Sequence, residues 1–229
     1  MFCALFSAGP FALVVWIFGG DPRWAFQIIV RFFWRLFLKM SPVIGTITII
    51  NPHNLNQHKP AIYVSSHQSS IDFVLLGSII ENFATISNHP ISDLKIFMKI
   101  PRLVGVYYME KENPSAAITV FNRLTRALEK NINVFIFPEG TRNYSDTLKS
   151  FQKGAFRLSV DSGTPIIPVI INGTGRIVSK GSNVTKTAKA TEIEVTFLDP
   201  IYPKEDGSVR GLMNEVKEVM QHEITRNFA

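Results

Sequence analysis

Short apolar runs rich in β-branched and aromatic residues alternate with helical patterns through residues 41–229. Strands are predicted over residues 46–50, 61–65, 106–109, 133–137, 166–171 and 192–198. Helices are predicted over residues 71–80, 116–130, 156–163 and 208–226. Because the strands are almost continuously apolar and alternate with helices, we predict an α/β fold with a largely parallel central sheet covered by helices on both faces. Ligands bind such sheets beyond the carboxyl ends of the strands.

Residues 2–20 form an uncharged apolar segment that approaches the length needed to cross a bilayer. Gly9 and Pro10 interrupt it midway, so the segment could span the membrane or enter and return. Together with the helix that follows, it predicts a membrane-associated helical hairpin over residues 1–40, ahead of an α/β domain over residues 41–229.

Residues 24–40 form the second part of the predicted hairpin. Their polar side chains recur every four positions and fall on one helical stripe, made of Gln27, Arg31, Arg35 and Lys39. We expect this stripe to lie at anionic headgroups while Trp24, Trp34 and the phenylalanines of the segment enter the acyl boundary, as in an interfacial helix. The alternative is a helix packed on the domain with its arginines reaching out to solvent.

The charge balance favours an anionic partner. The chain has 24 Lys and Arg against 18 Asp and Glu, a formal charge of +6, which suits lipid headgroups, a phosphorylated substrate or nucleic acid. Nucleic acid is disfavoured because the basic residues are dispersed and match no binding motif. The single cysteine, Cys3, forms no intramolecular disulfide and predicts a reducing compartment. The five histidines lack metal-ligand spacing, so no metal site is expected.

The segment "YVSSHQSSIDFVLL" places His67 directly after a predicted strand and Asp72 before an apolar run. Ser69 and Asp72 fit a helix capping box. Five residues on a continuous helix turn by about 500°, which would separate His67 from Asp72. The two can meet only if His67 precedes the helix and Asp72 occupies its first turn. A carboxylate near one imidazole nitrogen fixes the tautomer and makes the other nitrogen a better base.

Two further motifs follow predicted strands or interrupt them. In "NVFIFPEGTRN" an apolar strand runs into a loop that carries Glu139, Gly140, Thr141 and Arg142. The planar guanidinium of Arg142 is suited to binding a phosphate through two charge-assisted hydrogen bonds. In "IIPVII" the strand contains Pro168, which predicts a local bend or an edge position because proline lacks a backbone donor.

The blocks "HQSSID", "FPEGTR" and "IIPVII", in this order, resemble the signature blocks of the glycerolipid acyltransferases. The resemblance extends over about residues 61–173. Two positions depart from the family pattern. Ser66 stands where members commonly have Asn, and Lys111 stands where they usually have Arg.

The resemblance implies acyl transfer from acyl-CoA or acyl-carrier protein to the free hydroxyl of 1-acyl-sn-glycerol-3-phosphate. This reaction gives phosphatidic acid in phospholipid synthesis and needs no bound cofactor. His67 would be the general base and Asp72 would orient it. The substrate-binding residues would be Lys111, Glu139, Gly140, Thr141, Arg142 and Pro168.

The expected location is the cytoplasmic face of the inner or plasma membrane, with the bilayer as partner. Three alternatives remain open. They are transfer to another lysolipid, hydrolysis by a water that the same His and Asp activate, and an inactive lipid-binding protein.

Overall fold

The structure is a computed structural model that describes residues 22–55, 57–87, 104–109, 114–177 and 190–228. The helices in these ranges are α1 (Pro22–Met40), α2 (Ile71–Ile79), α3 (Pro114–Glu129), α4 (Gly154–Ser162) and α5 (Val209–Phe228). The strands are β1 (Ile44–Ile50), β2 (Ile62–Ser65), β3 (Phe83–Ser87), β4 (Val106–Tyr108), β5 (Asn133–Ile136), β6 (Ile166–Asn172) and β7 (Thr191–Phe197). Short 3-10 helices cover Pro52–Leu55 and Thr174–Arg176.

The seven strands form one sheet in the order β1-β7-β6-β2-β5-β3-β4. Neighbouring strands from β6 to β4 are all parallel. Among the seven described strands only the β6–β7 pair is antiparallel, and β1 then pairs parallel with β7. The predicted α/β fold with a largely parallel sheet is therefore confirmed, and the carboxyl ends of five strands meet at one edge.

The sheet is covered on both faces because successive side chains of a strand point in opposite directions. On one face Val64 and Val134 join a core cluster with residues of α3, α4 and α5. On the other face Tyr63 and Phe135 join a cluster with α2 and with Leu38 of α1. Both clusters are buried, so the prediction of helices on both faces is confirmed.

Strand β3, Phe83–Ser87, is absent from the predicted strands. Its sequence, "FATIS", offers only five residues directly after α2 and no long apolar run. It becomes a strand through tertiary pairing, because Phe83 lies opposite Asn133 of β5 and Thr85 lies opposite Val106 of β4. A short strand with both apolar and polar side chains therefore lies between β5 and β4 in the sheet.

Pro168 lies in the interior of the sheet, so the edge position is wrong, whereas the other predicted alternative was a local bend. Strand β6 runs between β7 and β2, and Pro168 is buried opposite Val64. The carbonyl of Pro168 accepts the Leu198 N–H at 2.9 Å, one residue beyond the end of β7. The missing proline donor is tolerated because it falls where the β6–β7 ladder has ended.

Two arginines of the polar stripe, Arg31 and Arg35, contact α2, so their predicted place at the headgroups is wrong. Arg35 Nε donates to the Ser78 carbonyl at 3.0 Å, and Arg31 Nη2 lies 3.4 Å from the Ile79 carbonyl. These carbonyls belong to the end of α2, where helical carbonyls lack partners within the helix and carry partial negative charge. Desolvation also lowers the pKa of Arg31 from its usual value. The arginines therefore cap a helix rather than face headgroups.

Trp34 likewise packs on the domain, so its predicted place in the acyl boundary is wrong. Its ring centroid lies 5.5 Å from that of Phe73 and 6.3 Å from that of Phe83. Gly77 makes room for the indole, since a Cβ at Gly77 would lie 2.2 Å from a ring carbon of Trp34. The side chain of Trp24 is not among those that the structure describes.

The outward side of α1 carries an apolar strip, formed by Ile28, Phe32, Leu36, Phe37 and Met40. All five side chains are exposed, and Phe32 and Met40 are 62% and 72% accessible. Of the helices in the described part of the chain, none combines the length and apolar character that a bilayer crossing requires. Residues 2–20, the first half of the predicted hairpin, lie outside the described residues.

Gln27 joins α1 to the amino ends of β3 and β4. Its Nε2 donates to the Phe83 carbonyl at 2.7 Å and the Val104 carbonyl at 3.1 Å, and its Oε1 accepts the Phe83 N–H at 3.1 Å. Gly105 permits this approach, because its φ is +84° and a Cβ there would lie 2.9 Å from Gln27 Nε2. One buried amide thus satisfies three backbone groups at once.

Replacing Gln27 by Ala leaves those three buried backbone groups without partners. We expect the free energy of unfolding of Gln27→Ala to fall by about 2 to 3 kcal/mol, measured by urea denaturation. Lys39→Ala, an exposed change on the same helix, is the control and should move it by less than about 0.5 kcal/mol. Equal effects of the two changes would contradict the role given to Gln27.

Candidate active site at the carboxyl ends of β2, β5 and β6

His67 and Asp72 meet in the one arrangement that their spacing allows, with His67 before the helix and Asp72 in its first turn. His67 lies in the loop after β2, and Asp72 is the second residue of α2. The distance from His67 Nδ1 to Asp72 Oδ2 is 2.9 Å. Asp72 is fully buried, whereas the His67 side chain keeps 18% of its surface accessible. The carboxylate therefore sits behind the ring, and the ring reaches the solvent side.

The Asp72 carboxylate is held by the backbone of its own loop. Oδ2 also accepts the N–H groups of Gln68 at 2.6 Å and Ser69 at 2.7 Å. This forms the carboxylate half of the predicted capping box. The hydroxyl half of the predicted capping box is not formed. Ser69 Oγ makes only a 3.4 Å contact to the Ile71 N–H. The N-cap residue of α2 is instead Ser70, whose side chain makes no cap hydrogen bond.

Ser66 ties the start of this loop to β6. Its N–H donates to the Val169 carbonyl at 3.1 Å, and its Oγ accepts the Ile171 N–H at 2.9 Å. The serine is buried and extends the contact between β2 and β6 by one residue beyond the strand. Ser66, which stands where family members commonly have Asn, thus has a structural role next to His67.

Phe137 fixes the plane of the His67 ring from the side of β5. The two rings stack with centroids 4.1 Å apart and an interplanar angle of 20°. Phe137 belongs to the second motif and directly precedes its "PEGTR" loop. The stacked rings of His67 and Phe137 therefore join the two motifs.

The second loop is braced by the buried Glu139. Glu139 Oε2 accepts Asn143 Nδ2 at 2.7 Å and the Lys149 N–H at 3.0 Å. Gly140 adopts a φ of +64°, a conformation that glycine tolerates better than other residues, and so turns the chain sharply after Glu139. The position of Arg142 depends on this braced turn.

Two hydrogen bonds join the second loop to the first. The Asn143 N–H donates to the His67 carbonyl at 2.7 Å, and Arg142 Nη1 donates to Ser70 Oγ at 3.2 Å. Lys149 Nζ in turn donates to the Arg142 carbonyl at 2.8 Å. The guanidinium of Arg142 is thus held on the same side of the sheet as the His67 ring.

A cavity of about 620 Å³ opens beside these two loops. Its polar lining includes His67, Ser70, Thr141, Arg142 and Gln152. Its apolar lining comes from α2, α3, β3, β5 and the residue after β4, and includes Phe73, Ile86, Met109, Val120, Phe121 and Leu124. One cavity therefore combines the His67 imidazole, the Arg142 guanidinium and an apolar wall, as a site for an amphipathic ligand requires.

The predicted site residues take different places around this cavity. Gly140, Thr141 and Arg142 line it together with His67. Glu139 braces the loop behind, and Pro168 lies within the sheet; neither is among the lining residues. Lys111 lies outside the described residues.

Sequence reasoning missed several residues that complete the site, namely Ser70, Phe137, Asn143 and Thr174. Phe137 and Asn143 flank the "PEGTR" motif, so their position next to it could have indicated that they belong to the site. Thr174 lies beyond the segment that carries the resemblance and gave no signal of its own. Within the described ranges, no group of three His, Cys, Asp or Glu side chains is arranged to hold a metal ion.

The arrangement is suited to proton transfer beside an anion. When Nδ1–H donates to Asp72, Nε2 of His67 carries the lone pair and can accept a proton from a ligand in the cavity. The Arg142 guanidinium can make two parallel hydrogen bonds to a phosphate. The apolar wall can bury a hydrocarbon chain.

The chain is similar to known proteins. A family model described as Acyltransferase matches residues 46–172. The chain is 37% identical over 123 residues to the chloroplastic 1-acyl-sn-glycerol-3-phosphate acyltransferase LPAT1 of Arabidopsis thaliana, covering 54% of this chain and 35% of that protein. It is 36% identical over 122 residues to the 1-acyl-sn-glycerol-3-phosphate acyltransferase beta of Homo sapiens, covering 52% and 44%. The match spans less than half the length of either relative.

The fold is similar to the crystal structure of the 1-acyl-sn-glycerophosphate acyltransferase PlsC from Thermotoga maritima. The TM-score is 0.75 at 21% identity, and the match covers 91% of this chain and 82% of that one. This likeness supports the α/β fold. Since the family model matches more than half of the chain, the protein belongs to the Acyltransferase family.

Proposed function

We propose that the protein transfers a fatty acyl group from acyl-CoA or acyl-carrier protein to the free hydroxyl of 1-acyl-sn-glycerol-3-phosphate, forming phosphatidic acid. The observation that carries the proposal is the 2.9 Å contact between His67 and Asp72 beside Arg142 in a largely apolar cavity. The relatives named above act on this acceptor according to their names. The reaction uses two co-substrates and no bound cofactor.

His67 is the proposed general base. Its Nε2 takes the proton of the acceptor hydroxyl while the oxygen attacks the thioester carbonyl carbon. The carbon–sulfur bond breaks as the tetrahedral intermediate collapses, and the imidazolium returns its proton to the leaving thiolate. Asp72 keeps the ring in one tautomer and stabilises the imidazolium that forms. Stacking on Phe137 limits rotation of the ring.

Arg142 is the proposed ligand of the acceptor phosphate. Its guanidinium lies next to Ser70 and lines the same cavity as His67, so a phosphate bound there keeps the acceptor hydroxyl within reach of the base. Thr141 and Gly140 line the cavity beside it, and Glu139 holds their turn in place. Lys111 remains a proposed second cation for the same phosphate.

The apolar wall of the cavity is the proposed site of a fatty acyl chain. Side chains of α3, such as Val120, Phe121 and Leu124, line the cavity together with Ile86 of β3 and Met109, which follows β4. Apolar burial of about 25 cal/mol per Å² favours such a chain in proportion to its length. Gly154 at the start of α4 also lines the cavity and leaves open space around its Cα.

The apolar strip of α1 is the proposed contact with the bilayer, in which the acceptor is dissolved. Its five exposed side chains lie on the side of α1 that does not pack on α2, and burial in the acyl boundary removes them from water. The single cysteine of the chain suits a catalytic domain on the cytoplasmic, reducing side of an inner or plasma membrane.

His67→Ala removes the proposed base and should lower kcat at least about a hundredfold, the usual contribution of a general base. The assay follows transfer of radiolabelled acyl groups to 1-acyl-sn-glycerol-3-phosphate by membranes that carry the protein. His222→Ala, an exposed histidine of α5, is the control and should keep full activity. Unchanged transfer by His67→Ala would refute the role, and release of free fatty acid without acceptor would favour a hydrolase.

Arg142→Ala removes the proposed phosphate ligand. We expect kcat/KM for 1-acyl-sn-glycerol-3-phosphate to fall about 10- to 100-fold, as for the loss of hydrogen bonds to a charged group. Transfer to the uncharged analogue 1-acylglycerol should change much less, so the ratio of the two rates reports on the phosphate. Arg157→Ala, on exposed α4 surface, is the control. An equal fall for both acceptors would contradict phosphate binding by Arg142.

Phe32→Asp tests the contact of the apolar strip with the bilayer. Placing a carboxylate where a phenyl group enters lipid should weaken sedimentation with phosphatidylglycerol-containing vesicles about tenfold or more. Ile118→Asp is the matched control, because Ile118 on α3 is 63% accessible and Phe32 is 62% accessible. The strip would lose its proposed role if both variants bound vesicles equally.

A further inference from the structure

The turn that follows β6 reaches the buried side of Asp72. It consists of Gly173 and the short 3-10 helix Thr174–Arg176. β6 and β2 are adjacent parallel strands, so their carboxyl ends lie side by side. The turn after β6 and the loop after β2, which carries His67, therefore meet at the same edge of the sheet.

Gly173 brings this turn close to β7. Its φ is +99°, and a Cβ there would lie 2.2 Å from the carbonyl oxygen of Glu192, so only glycine fits. The next residue, Thr174, is fully buried. The backbone is thus folded back sharply, and the Thr174 side chain is directed into the interior.

The hydroxyl of Thr174 donates to Oδ1 of Asp72. This is the oxygen that the first loop leaves uncovered, since His67 and the two backbone N–H groups all bind Oδ2. The neighbouring residue adds a contact to the same loop, because the Gly175 N–H lies 3.4 Å from Gln68 Oε1. The carboxylate is thereby held at both oxygens, from two separate segments.

We propose that Thr174 is a positioning residue for the general base, acting through Asp72; the inference rests on the proposed function. A carboxylate bound at only one oxygen can rotate about its Cβ–Cγ bond, and each rotation changes the direction of the bond from Oδ2 to His67 Nδ1. The Thr174 hydroxyl fixes that rotation. It also satisfies a buried anionic oxygen that would otherwise lack a partner.

The test compares Thr174→Val with Thr174→Ser in the acyl transfer assay. Valine has the shape of threonine without the hydroxyl, so kcat should fall about tenfold or more while KM for the acceptor stays within about twofold. Serine keeps the hydroxyl and should restore kcat to within about threefold of the wild-type value. The melting temperature of both variants is measured alongside.

Thr196→Val is the matched control, because Thr196 is equally buried in β7 and its hydroxyl has no partner among the described residues. It should keep wild-type kcat. Unchanged kcat in Thr174→Val, or an equal loss in Thr174→Val and Thr174→Ser, would overturn the inference and leave the proposed function standing. Absence of transfer by the wild-type protein would instead refute the proposed function.

Discussion

The buried carboxylate of Asp72 is the constraint on which the rest of the site depends. Burying an unpaired carboxylate costs several kcal/mol, so the fold must supply donors around it. Three come from the loop after β2, and the fourth, Thr174, comes from the turn after β6. The anion therefore organises both segments and leaves the His67 ring in a single orientation.

The strand order explains how these segments come together. β2 lies between β5 and β6, so the loop that carries His67 has the loop of Arg142 on one side and the turn of Thr174 on the other. The first neighbour contributes Phe137 and the Asn143 N–H, and the second supports the carboxylate from behind. A parallel sheet thus delivers three chemically different segments to one edge without any direct sequence proximity.

Helix α1 illustrates what periodicity can and cannot indicate. Its four-residue repeat correctly defines a polar stripe and an apolar remainder, but periodicity carries no information about which side meets protein. The carbonyls at the end of α2 decide the question, because they need donors that Arg31 and Arg35 provide. The consequence is that these two arginines contact α2 while the apolar strip of α1 is exposed.

The parts of the molecule that could be predicted are those set by local chemistry. The apolar strands, the helices between them and the His67–Asp72 contact all follow from neighbours within a few residues. The short strand β3 could not be predicted in this way, because it forms through its pairing with β5. The role of the Thr174 hydroxyl could not be predicted either, because 102 residues separate Thr174 from Asp72. A motif identifies the groups that react, whereas the topology of the sheet brings residues from distant parts of the chain into contact with them and fixes their positions.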